Sequence, residues 1–210
     1  MNLMTRQAVR ALLLLSALAT SATAHSKAVK LDVHCGSAAS IDGQFSDGEW
    51  SRATKVPISG GAQFLAMRAG DDLLAAVRLS PGSYRYIDLY VRDSTGRLLN
   101  LHASFQQGQR LLTPGWGDSS PAFEWNPQGW DASTAKRTSA ADDAAIAEQI
   151  SGLEGYEMRV PAALLGRAPL TIRLEVRDFE GKAADWVYPV GSTRADGASW
   201  AKLRSPDPCR

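Results

Sequence analysis

The side chains best suited to chemistry gather between residues 84 and 140. Asp88 and His102 are the first candidates, because a carboxylate beside an imidazole orients the ring and strengthens it as a base. No serine or cysteine nucleophile motif accompanies them, so the pair lacks the third component of covalent catalysis. Asp118 and Glu124 offer a pair of carboxyl groups of the kind that cleaves glycosidic bonds, with a separation that spacing alone does not define. A larger set is non-catalytic in character. Tyr86, Tyr90, Trp116, Trp125 and Trp130 supply flat rings, and Asp88, Asn100, His102, Asn126 and Gln128 supply planar or directional polar groups. That mixture suits a sugar, whose C–H faces stack on rings while its hydroxyls bond to amides and carboxylates.

A strand–turn–strand must position the first half of that set. In residues 84–92, Ile87, Leu89 and Val91 alternate with Tyr84, Tyr86, Asp88, Tyr90 and Arg92, a period of two that predicts a strand with two distinct faces. Leu99, Leu101, Ala103 and Phe105 repeat the apolar face in a second arm, opposite Leu98, Asn100, His102 and Ser104. The linking Asp93-Ser94-Thr95-Gly96 suits a type I turn followed by a left-handed Gly96 in a bulge. This register predicts the pairs Ile87 with Ala103, Leu89 with Leu101 and Val91 with Leu99 on one face. On the other it predicts Tyr86 with Ser104, Asp88 with His102 and Tyr90 with Asn100. The apolar face must be core; the polar face is a solvated surface or a binding platform. Residues 106–140 then read as one long connection that is rich in Gly and Pro yet carries Trp116, Phe123, Trp125 and Trp130. An aromatic segment of that length in a compact domain is more often functional than a spacer.

The rest of the chain predicts further short strands. Residues 28–34 alternate weakly; residues 62–68 and 73–79 form a hairpin turning at Gly70-Asp71-Asp72; residues 144–150 and 156–160 form another across residues 152–155, its alanine-rich first arm equally suited to a helix. Residues 170–178 alternate cleanly, with the even positions buried, and Trp186-Val187-Tyr188 and residues 199–203 close the sheets. Many strands, frequent turn signals and scarcely any helix predict an all-β, antiparallel β-sandwich of jelly-roll or immunoglobulin-like type, with one or two short helical turns.

The first 24 residues have a basic start at Arg6 and Arg10, an apolar run over residues 11–19 and the small-residue ending Ala22-Thr23-Ala24. Those are the parts of a signal peptide, too short for a membrane anchor. The expectation is cleavage after Ala24, export to the periplasm or beyond, no membrane insertion, and one domain over residues 25–210. Losing Arg6 and Arg10 takes the balance from +1 to 21 basic against 22 acidic residues, which does not favour nucleic acid or an acidic membrane surface. Cys35 and Cys209, the two cysteines, are expected to join the termini in one disulfide, worth about 5 kcal/mol on the chain-entropy model.

The segment Ile41-Asp42-Gly43, followed by Glu49-Trp50 and Ala53, predicts a turn at Asp42-Gly43 and a single helical turn capped by Ser46 or Asp47, with Trp50 and Ala53 on its buried side. With the later Glu157-Met158-Arg159-Val160-Pro161 and a strand ending in Asp178, this pattern resembles the family 9 carbohydrate-binding modules over residues 40–204. The resemblance implies a secreted β-sandwich that binds a sugar or polysaccharide without catalysis, in some members with structural calcium. It does not identify which tryptophans here would grip a sugar. Two other readings stay open. One is an exported interaction or structural domain without a sugar site. The other is a copper-dependent oxidative enzyme, since cleavage after Ala24 would leave His25 to chelate copper through its amino terminus and ring, with His34 or His102 as a second ligand. Calcium would find carboxylates in Asp71 and Asp72 or in Asp142 and Asp143, without a ligand loop to place it. Met67 and Met158 have no spacing to a histidine that supports haem.

Overall fold

The computed structural model describes residues 29–45, 48–80, 82–113, 116, 120–134, 148, 152–206 and 209. Among these, thirteen strands form two sheets packed face to face, an all-β sandwich. The larger sheet runs β1 (Lys30–Asp32), β13 (Ala201–Arg204), β11 (Thr171–Asp178), β5 (Arg85–Arg92), β6 (Leu98–Ala103), β7 (Gln107–Leu112) and β8 (Glu124–Trp125), with β12 (Trp186–Tyr188) also on β11. The smaller runs β2 (Thr54–Pro57), β3 (Gln63–Ala69), β4 (Asp72–Arg78), β10 (Gly155–Val160) and β9 (Asp131–Ala132). A one-turn helix, α1 (Ala162–Leu165), follows β10 and contributes buried Leu165. The pairings are antiparallel apart from β1 with β13.

Alternation decides which side chains meet between the sheets. Ile87, Leu89 and Val91 of β5, Leu99, Leu101 and Ala103 of β6, and Ile172, Leu174 and Val176 of β11 face Phe64, Ala66, Leu73, Ala75, Val77, Tyr156, Met158 and Val160 of the smaller sheet. The β5–β6 register follows the turn. Gly96 has φ 87° and donates to the Asp93 carbonyl, Asp93 donates to the Arg97 carbonyl, and the ladder pairs Ile87 with Ala103, Asp88 with His102 and Tyr90 with Asn100. The ladder ends at Ile87, so the expected pairing of Tyr86 with Ser104 is not part of it. Cys35 and Cys209 form the disulfide.

Three local expectations change. Residues 106–140 are not one irregular connection, because β7, β8 and β9 lie within them. The strand signal in β7 is hidden because polar Gln107 and Gln109 take the positions opposite core-facing Ala103 and Leu101, and outward Gly108 has no side chain to mark the alternation. Residues 144–147, 149 and 150, the expected partner of β10, fall outside the described residues, and β10 pairs with β4 and β9. The helical turn expected at Trp50 is a pair of overlapping turns, Gly48 to Ser51 and Trp50 to Ala53, and its proposed caps Ser46 and Asp47 lie outside the described residues.

Strands β3 and β4 read as near-continuous apolar runs because both their faces are covered. Leu65, Met67, Leu74 and Ala76 turn outward and are roofed by Phe45 and Trp50, with Ile41 and Ala53 at the margin. Glu157 anchors this roof. Its fully buried carboxylate accepts from the Trp50 indole at 2.7 Å and from the backbone N–H groups of Gly43 at 2.8 Å and Asp42 at 3.0 Å. The two sequence patterns that carry the family resemblance therefore meet at one contact. Burial pushes this carboxyl above the usual carboxylate range, although the Gly43, Trp50 and Asp42 donors favour its charged form.

All three partners of Glu157 are donors, so an amide in its place would turn an N–H toward another N–H. Glu157→Gln is expected to lower stability by about 1–3 kcal/mol, measured by urea unfolding; an unchanged midpoint would show that the roof does not depend on this carboxylate.

Candidate functional site

On β5, β6 and β11 the residues between the core positions point outward, and register brings them into one layer. Asp88 lies opposite His102 on one side and Glu175 on the other, and Tyr90 lies between Asn100 and Arg173. His102 Nδ1 is 3.0 Å from Asp88 Oδ1, and the Asn100 amide donates to the same oxygen at 3.4 Å. Arg110 Nε of β7 donates to Asn100 Oδ1 at 2.8 Å. Across the strand, the Tyr90 hydroxyl donates to Glu175 Oε2 at 3.2 Å, and Arg194 Nε donates to Glu175 Oε1 at 2.6 Å. Arg173 also bonds to Glu175. Asp88, Tyr90, Asn100, His102, Arg173 and Glu175 are all buried, so this outer face is neither solvated nor open. It is a second, polar core.

Burial raises the cost of every charge in that layer, and pairing offsets it. Burial works against ionisation of Glu175, but the hydrogen bonds and charges of Arg194 and Arg173 outweigh it and hold the carboxyl below the usual range. Burial pushes the Tyr90 phenol up, with Asp88 and Glu175 adding to the shift, and Tyr86 is raised by its own burial. Both phenols stay neutral donors at physiological pH.

Aromatic rings cover the polar layer. Trp116 stacks on Tyr90 with centroids 5.1 Å apart and planes within 16°. Phe123 and Trp125 lie 5.2 and 5.4 Å from the His102 ring and 5.0 Å from each other, and Tyr86 and Phe179 continue the cover on the far side. Gly108 makes this packing feasible, since a Cβ there would come within 2.9 Å of the Trp125 ring. The Arg110 guanidinium sits 4.0 Å from the Phe123 ring centre, and Arg194 lies over Trp116 at 5.4 Å. Trp125 keeps 48% of its surface exposed. The result is a surface row of rings edged by guanidinium groups and seated on a paired base.

Seven of the eight expected ligand-binding residues thus share one face: Tyr86, Asp88, Tyr90, Asn100, His102, Trp116 and Trp125. Trp130 does not join them. It is 2% exposed and packs between the sheets, where the chain crosses from β8 to β9. Asp88, Asn100 and His102 form the base under the rings rather than a ligand-facing wall. Sequence reasoning missed Arg173 and Glu175, although the alternation in β11 already put them on the face opposite Ile172 and Leu174. It also missed Phe123, Arg110 and Arg194; the last comes from an irregular loop, and no periodicity marks it.

The His102 Nε2 atom lies 2.9 Å from Ser104 Oγ, so Asp88, His102 and Ser104 stand in the order of a hydrolase triad. Ser104 is 2% exposed and its hydroxyl also reaches the Gln106 carbonyl at 3.3 Å. The row therefore acts as a buried hydrogen-bond chain. Glu124 accepts from Gln109 at 2.7 Å, while its suggested acid partner Asp118 falls outside the described residues, as do His25, Asp142 and Asp143. Asp71 and Asp72 pair with Arg68 and Arg159. Among the described residues no cluster of three or more His, Cys, Asp or Glu side chains is arranged to hold a metal ion. No protein-family model, curated protein or solved structure matches this chain.

A carboxyl whose folded pKa is depressed contributes stability above its unfolded value and loses it as pH falls through the folded one. Glu175→Gln leaves two guanidiniums facing an uncharged group and is expected to cost about 3 kcal/mol at neutral pH. The gap to the native protein should close as pH drops below about 4, followed by urea unfolding across pH; a gap independent of pH would contradict the pairing.

Proposed function

We propose that this protein is a non-catalytic glycan-binding module acting outside the cytoplasm, with the Trp116, Phe123 and Trp125 face of the larger sheet as its binding surface. The observation that carries this reading is the half-exposed Trp125 ring, held in place by Phe123 and by the buried His102–Asp88 pair. A flat ring at the surface offers stacking area to a sugar, and a base that cannot rearrange removes the ordering cost from binding. Trp116 and Trp125 sit over Tyr90 and His102, diagonal neighbours on adjacent strands about 7–8 Å apart, so the platform can meet more than one unit of a chain. Arg110 and Arg194 edge it with donors for hydroxyl oxygens. The Cys35–Cys209 disulfide suits an oxidising compartment. No described helix is long and apolar enough to cross a membrane.

The test is a titration of the purified protein against a glycan panel, read by tryptophan fluorescence. Trp125→Ala is expected to weaken binding about tenfold, the loss of one stacking contact, while lowering unfolding stability by about 1–2 kcal/mol for the buried half of the ring, too little to unfold the domain. Trp130→Ala should instead cost about 3–5 kcal/mol of stability. A panel with no binder, or binding that ignores Trp125→Ala, would overturn the reading in favour of a protein-interaction domain.

A further inference from the structure

A cleft of about 390 Å³ opens beside the aromatic face, at the edge of the larger sheet around β7 and β8. Leu111 lies opposite Leu99 on the core-facing side of the sheet, yet it is 55% exposed, so this part of the inner face is accessible. Leu111 and Leu164 give the cleft apolar wall, and Arg97, Arg110, Gln109 and Glu124 give it polar groups. The volume falls in the range of small-ligand sites.

Among the described residues the charges in the cleft do not balance. Arg97 donates to the Leu164 carbonyl at 2.8 Å, and Arg110 donates to Asn100 Oδ1 at 2.8 Å and to the Pro121 carbonyl at 3.3 Å. Those acceptors are neutral, and among the described residues neither guanidinium has an ion-pair partner. Among the described residues Glu124 is the one carboxylate lining the cleft, and it accepts from Gln109 Nε2 at 2.7 Å. The other end of that amide, Gln109 Oε1, is shielded from solvent and has no hydrogen-bond partner among the described residues. Two guanidinium groups therefore border one space.

We propose that this cleft takes a saccharide unit bearing an anionic group, carboxylate or sulfate, with Arg97 and Arg110 holding the anion. The proposal rests on the glycan reading of the adjoining face, to which Arg110 belongs through its contact with Phe123. Guanidinium is suited to this task because its planar fork matches two oxygens of a carboxylate or sulfate. The ring face then supplies area and the cleft supplies discrimination by charge.

The experiment compares matched polysaccharides by calorimetry: polygalacturonate with its methyl ester, and dextran sulfate with dextran. At least one acidic member is expected to bind about tenfold tighter than its neutral counterpart, and which one does so separates carboxylate from sulfate. Arg97→Gln should abolish that preference. Glu124→Gln keeps an oxygen to accept from Gln109 but removes the opposing charge, so it should tighten acidic binding several-fold and leave neutral binding unchanged; a misfolded variant would not gain affinity. Equal binding across each pair, unmoved by Arg97→Gln and Glu124→Gln but weakened by Trp125→Ala, would overturn the anionic subsite and leave the glycan reading standing. Failure of every saccharide to bind would overturn both.

Discussion

Two carboxylates, Asp88 and Glu175, lie paired across β5 and β11 beneath the outer surface of the larger sheet, and the arrangement above them depends on their being satisfied. An unpaired charge at that depth would cost several kcal/mol. Here Glu175 meets Arg173, Arg194 and Tyr90, and Asp88 meets His102 and Asn100. Each partner is then fixed by another contact: Asn100 by Arg110, His102 by Ser104, Tyr90 by Trp116. A network satisfied in this way is rigid because moving any member exposes a buried polar group. The rings of Trp116, Phe123 and Trp125 inherit that rigidity.

The two sheets solve the same problem by different means. Both are covered on their outer faces as well as their inner ones. The smaller sheet is covered mainly by apolar side chains, Phe45 and Trp50 over Leu65, Met67 and Leu74, with the carboxylates of Glu157 and Glu154 as fasteners. The larger sheet is covered by rings over a charged layer. Among the described residues Arg110 has no ion-pair partner at the rim of that second cover, which gives this face of the sandwich a basic edge.

Much of this was legible in the chain, for identifiable reasons. The β5–β6 register followed from Gly96, because a glycine in the left-handed region after a three-residue turn leaves one register open. The disulfide followed from there being two cysteines. Trp50 was read as core, and the contact with Glu157 explains why its pattern and the Glu157–Pro161 pattern occur together. What escaped detection depends on non-local packing. Gly108 looks like a strand breaker until Trp125 is seen lying on it. Arg194 reaches Glu175 from a loop, 19 positions away. Trp130 and Trp125 are five residues apart and alike in sequence context, yet the crossing between sheets buries one and leaves the other at the surface. Alternation marks which residues share a face; it does not report what covers that face.

The central claim is that rings at one surface, seated on a paired polar layer, bind a glycan without disturbing the rest of the fold. The six tryptophan indole N–H resonances report on this directly, because Trp116 and Trp125 lie on the proposed surface, Trp200 packs beside Tyr90 beneath it, and Trp50, Trp130 and Trp186 lie elsewhere. A two-dimensional NMR titration with a binding glycan should shift the Trp116 and Trp125 signals in a saturable manner and leave those of Trp50 and Trp130 in place. Shifts confined to Trp50 or Trp130, or spread equally over all six, would contradict it.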